Sequence, residues 1–119
     1  MCQKASGNYF QAFAGVMRDE FVWTRGRPGT FRSSELVERD FCRDCGTPLT
    51  YRAGDRDRIS VTIGSLDRPD LVKPECQFGI ESRIVALDAL AALPAHTTEQ
   101  STEPARRARL ASLQHPDHD

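Results

Sequence analysis

Phe41-Cys42-Arg43-Asp44-Cys45-Gly46-Thr47-Pro48 is the stretch on which the reading of this chain turns. Two thiolates separated by two residues can grip one tetrahedral Zn²⁺ from a tight knuckle, and Gly46 lets the backbone turn beneath the metal. Such a pair is half of a zinc site, because structural zinc takes four protein ligands. A redox Cys-x-x-Cys is the competing chemistry, but that motif opens a helix in an α/β pattern. Here Pro48 and Leu49-Thr50-Tyr51 follow instead, which reads as strand, knuckle, strand. Two unliganded thiols beside a turn remain the plainer alternative.

Working outward, short runs rich in aromatic and β-branched residues recur: 9–17, 22–24, 30–33, 37–41, 49–52, 59–63 and 76–81. Turn formers separate them, among them Gly26-Arg27-Pro28-Gly29, Gly54-Asp55 and Asp67-Arg68-Pro69-Asp70. The spacing predicts a meander of short antiparallel strands. In the first run Phe10, Ala12, Ala14 and Val16 share one face and Tyr9, Gln11 and Phe13 the other, as expected of a strand inside a folded-over sheet. Trp23, Phe10, Phe13, Phe31 and Tyr51 are expected in the core, and their role is stability. Helix is expected only as one turn at 18–21 and over 83–93, which is rich in Ala and Leu and stopped by Pro94. Residues 97–119 hold few apolar groups and read as a flexible C-terminal tail, with a short helix possible over 105–113.

A chain of 119 residues accommodates one domain, placed at 1–96. A formal net charge of -1 leaves no positive field to hold a polyanion, so nucleic acid and acidic membrane surfaces are not expected partners. No apolar run is long enough to span a bilayer and the start has no signal-peptide pattern, so the expected location is the cytoplasm. There four cysteines read as thiols or metal ligands rather than disulfides. Beyond Cys42 and Cys45 the candidate ligands are Cys2, Cys76 and the three histidines. Cys76 reads as a small buried hydrophobe in a strand. His96, His115 and His118 lie in or beside the tail, where ligation carries an ordering cost.

Taken in order, Cys2-Gln3-Lys4-Ala5-Ser6-Gly7, Trp23-Thr24-Arg25-Gly26, Arg32-Ser33-Ser34 and the knuckle through Leu49 closely resemble the glutathione-dependent formaldehyde-activating enzyme family, which includes the centromere protein V group. Ile63-Gly64-Ser65-Leu66-Asp67 and Lys73-Pro74-Glu75 agree with it. The resemblance implies a mainly β fold, small antiparallel sheets in a β-tent arrangement with a zinc knuckle and one short C-terminal helix. It further implies two zinc sites. Cys42 and Cys45 would be half of the structural one. Cys2 would be the last cysteine of a Cys-x-Cys-x-x-Cys run holding a second, catalytic zinc. On this reading the chain is N-terminally truncated, beginning partway through the family's first metal motif and lacking its N-terminal strand, so neither site is complete in its own residues.

The activity the resemblance implies is carbon–sulfur lyase or S-(hydroxymethyl)glutathione synthase chemistry on glutathione and formaldehyde. Zinc is the cofactor, a small-molecule thiol the substrate, and Lys4 and Arg32 are candidate contacts for glutathione carboxylates. A non-catalytic zinc-binding structural or interaction module is the alternative, and a zinc-ribbon nucleic-acid binder is disfavoured by the even charge. A sheet lacking its first strand should expose an edge, so a homodimer through that edge is expected.

Overall fold

The computed structural model describes residues 1–114. Its centre is one five-stranded antiparallel sheet: β1 (Phe13–Met17), β2 (Gly29–Arg32), β3 (Val37–Phe41), β4 (Pro48–Ala53) and β5 (Arg58–Thr62), in the order β1-β5-β4-β3-β2. Strands β2 to β5 form the expected meander. The chain between β1 and β2 crosses the sheet from one edge to the other, which places β1 at an edge rather than inside a folded-over sheet. Only its second half, from Phe13, is strand, because Phe13–Met17 is the length that pairs with β5, Phe13 opposite Thr62 and Met17 opposite Arg58.

The turns follow from local chemistry. Ser34 Oγ accepts from the Val37 amide at 3.1 Å and the Ser33 amide donates to the Val37 carbonyl at 2.9 Å, closing the β2–β3 connection. Gly54 donates its amide to the Leu36 carbonyl at 2.8 Å, tying the β4–β5 turn to the β2–β3 turn. At the start of β2, Gly29 is buried because the Phe41 ring lies against it. A Cβ there would meet the ring at 2.5 Å, so no other residue lets the aromatic close this end of the sheet.

Two expected strands do not form. Residues 22–24 and 76–81 carry β-type residues, but no neighbouring strand offers them backbone partners, and without a ladder such a run stays irregular. The predicted helix over 83–93 is a run of 3₁₀ turns, Val85–Ala92, with no buried residue. A short apolar segment with nothing to pack against lacks the tertiary contacts that sustain α geometry. The turn expected at 18–21 is present as 3₁₀ Arg18–Glu20. Helix appears instead at α1 (Cys2–Ser6), α2 (Thr98–Ser101) and α3 (Pro104–Arg107). The α2 turn opens with a reciprocal Thr97/Gln100 capping box.

The core also departs from expectation. Phe13 and Tyr51 are half-buried with their rings 5.8 Å apart, but Phe10, Trp23 and Phe31 are exposed, Phe31 at 63%. One sheet without a second layer cannot bury both of its faces. Among the described residues the buried hydrophobic ones are Val37 and Ile59, and the other buried side chains are polar or charged: Arg39, Asp40, Thr50 and Thr62. The radius of gyration, 16.7 Å, exceeds the roughly 13.5 Å of a compact domain of this length. No helix among the described residues is long and apolar enough to cross a membrane.

Candidate functional site

The knuckle sits where β3 hands over to β4. A bulge between Asp40 and Phe41 turns the strand end, the Cys42 amide donates to the Thr47 carbonyl at 2.9 Å and the Gly46 amide to the Cys42 carbonyl at 2.9 Å. Gly46 has φ +76°, a left-handed conformation that a Cβ would strain. Both thiols are half-buried. Cys45 Sγ lies 3.1 Å from Thr47 Oγ1, and that hydroxyl is also 3.3 Å from Gln114 Oε1, so residue 114 ends beside the knuckle.

Cys2 lies elsewhere. It begins α1, which ends at Gly7 in the left-handed region, φ +62°. Ser6 Oγ donates to the Cys2 carbonyl at 2.9 Å and Gln3 Nε2 to the Ser82 carbonyl at 3.0 Å. Those contacts set the half-buried Cys2 thiol against β3, where Arg39 Nη2 approaches Cys2 Sγ at 3.2 Å. The Arg39 guanidinium lies 4.9 Å from the centroid of the Tyr51 ring, its cross-strand partner. It is 9% exposed, and its Nε is buried with no hydrogen-bond partner.

Successive strand residues face opposite ways, so Asp40 faces away from Arg39. Asp40 is 1% exposed and fully engaged. Arg52 Nε and Nη2 reach its two oxygens at 2.6 and 2.9 Å, Thr50 Oγ1 donates at 2.5 Å and Thr30 Oγ1 at 2.7 Å. Arg52 also pairs with Glu38 at 3.1 Å. Burial pushes the Asp40 carboxyl up, but the Arg52 fork and the Thr50 and Thr30 hydroxyls outweigh it and hold the group below its ordinary value. The hydrogen bonds it donates to Asp40 likewise hold the Arg52 guanidinium above its ordinary value. Above this network lies an open groove of about 430 Å³ walled by Phe21, Trp23, Arg27 and Arg43. Trp23 packs edge-on to Phe21 at 4.9 Å and thus serves the rim of a groove, not the core.

The predicted site residues therefore separate. Cys42 and Cys45 share the knuckle, while Cys2 is at Arg39. Lys4 is exposed on α1, two positions beyond Cys2. Arg32 is exposed in β2 opposite Glu38, on the Asp40 face, with Nη2 donating to the Glu35 carbonyl at 3.0 Å. Cys76 is exposed, not buried, since its segment is not strand. His96 is exposed, and His115 and His118 lie outside the described residues. Among the described residues no three His, Cys, Asp or Glu side chains gather into a group able to hold a metal ion. The knuckle offers two soft donors of the four that structural zinc takes, so a complete cage does not fit within these residues.

Arg39, Asp40 and Arg52 were not among the candidates read from sequence. Their signal was Glu38-Arg39-Asp40, three charges in a row inside a strand bounded by Val37 and Phe41. Alternation puts at least one of three such residues on a covered face, where it needs a partner.

A family model described as glutathione-dependent formaldehyde-activating enzyme matches residues 1–82. No curated protein and no solved structure matches the chain.

Proposed function

This chain belongs to the glutathione-dependent formaldehyde-activating enzyme family, and on that footing we propose that it joins glutathione, or a related small thiol, to formaldehyde. The thiol sulfur attacks the aldehyde carbon, the carbon–sulfur bond forms, and the thiol proton ends on the new hydroxyl. The lyase direction reverses these steps. The observation that carries the reading is the family match over residues 1–82. Within that span the proposed locus is the sheet face where Cys2, Arg39 and Tyr51 converge. Arg32 lies on the other face of the sheet, and Lys4, on the same short helix as Cys2, is the candidate left for a substrate carboxylate.

Cys42 and Cys45 are proposed as half of a structural zinc site and Cys2 as one ligand of a second zinc. Each needs donors beyond those the described residues bring together. A cytoplasmic setting keeps these thiols reduced, and pairing of two copies through a sheet edge, β1 or β2, is the proposed assembly.

The test is the rate of S-hydroxymethylglutathione formation, followed by NMR, with and without protein, alongside zinc content per chain. An increase over the uncatalysed rate that Cys2→Ser removes is expected. A zinc-loaded chain that neither changes the rate nor binds glutathione overturns the enzyme reading in favour of a non-catalytic zinc module. Light scattering tests the assembly, and a strictly monomeric species at high concentration counts against it.

A further inference from the structure

Two arginines on neighbouring strands present the same chemical edge, Nε and Nη2, to opposite faces of the sheet. At Arg52 that edge is filled by a carboxylate, with Asp40 accepting from both nitrogens at 2.6 and 2.9 Å. At Arg39 the Nη2 arm meets only Cys2 Sγ, at 3.2 Å, and the Nε arm meets nothing. Among the described residues no carboxylate pairs with Arg39, although it is 9% exposed. A buried guanidinium without an anion is costly, and a buried N–H without an acceptor adds to the cost. The Tyr51 ring, 4.9 Å from the guanidinium carbon, offsets only part of this.

We propose that the Nε/Nη2 edge of Arg39 is a receptor for the carboxylate of a small organic anion, held so that the atom next to the carboxylate lies against Cys2 Sγ. The Arg52–Asp40 pair shows the geometry that such a carboxylate adopts on this fork. Access requires α1 to yield, and α1 suits this role: it is one short turn with no buried residue. The acidic groups closest in sequence to Arg39, Glu38 and Asp40, face the other way and are committed to Arg52.

The site is read from thiol alkylation, which needs neither metal nor activity. The reduced full-length chain is treated with iodoacetate, a carboxylate, or with iodoacetamide, its neutral analogue, and labelling at each cysteine is followed by peptide mass spectrometry. At Cys2 the iodoacetate-to-iodoacetamide rate ratio should fall about tenfold in Arg39→Gln. The exposed Cys76 serves as internal reference and should keep its ratio. Arg39→Lys, which retains charge but not the fork, should lose most of the preference, whereas Lys4→Gln should change it far less. On the unaltered chain, acetate should slow iodoacetate at Cys2 more than chloride does at equal ionic strength. The proposal is overturned if the Cys2 ratio is the same with and without Arg39, if Lys4→Gln abolishes it equally, or if acetate and chloride act alike. A chain that passes these tests but leaves the glutathione–formaldehyde rate unchanged retains the receptor and loses the enzymatic assignment.

Discussion

On one face of the sheet Asp40, Arg52, Thr30 and Thr50 form a closed network in which Asp40 is met by four donated hydrogen bonds. On the other face Arg39, one residue along the same strand, is buried against a sulfur and an aromatic ring with one nitrogen unmet. The strand geometry is the same and the burial similar, so the difference lies in compensation alone. A satisfied buried ion pair is a structural element, whereas an unsatisfied one is a binding site in waiting. That contrast is the support for placing the proposed site on the Cys2 face.

The contrast is open to attack by mutation, and the largest effect should come from the closed side. Arg52→Met leaves the buried Asp40 carboxylate without its partner and should cost about 3–5 kcal/mol of unfolding free energy in a denaturant titration. Next in size is the acid response. Because Asp40 is held below its ordinary value of 3.8, its contribution is fully present above that value and is lost as pH falls through the lower folded-state value. Thermal melts should therefore fall away on the acid side of about pH 4, and Asp40→Asn should flatten that limb. Gly29→Ala, which drives a Cβ into the Phe41 ring at 2.5 Å, should cost about 1–3 kcal/mol. The smallest effect belongs to Arg39→Met: with no ion pair to break, replacing this buried charge by an apolar chain of similar volume should change stability by less than about 1 kcal/mol or raise it. Losses of similar size from Arg39→Met and Arg52→Met would erase the distinction between the faces.

Much of the fold was legible because its signals are local. The runs at 9–17, 30–33, 37–41, 49–52 and 59–63 carry both β-type residues and flanking turn formers, and each supplied a strand, the first only from Phe13. The tight turn carrying Cys42 and Cys45 was legible for the same reason, since a Gly at the left-handed position closes it within eight residues. Runs 22–24 and 76–81 misled because propensity does not provide a pairing partner. The core misled because alternation identifies two faces without revealing that no second sheet covers Phe31, while Trp23 lies outside the sheet at the rim of the groove.

By itself, then, the sequence determined the β character, the meander, the turn at Gly46 and the family motifs, all of which depend on residues close together along the chain. Only the tertiary structure decided that β1 pairs at the far edge, that Cys2 meets Arg39 across 37 positions, and that the half-buried Arg52 is met by a carboxylate while the buried Arg39 is not. Pairings over such distances depend on which strands become neighbours and which face each side chain takes, and a shift of one residue in register would exchange the faces.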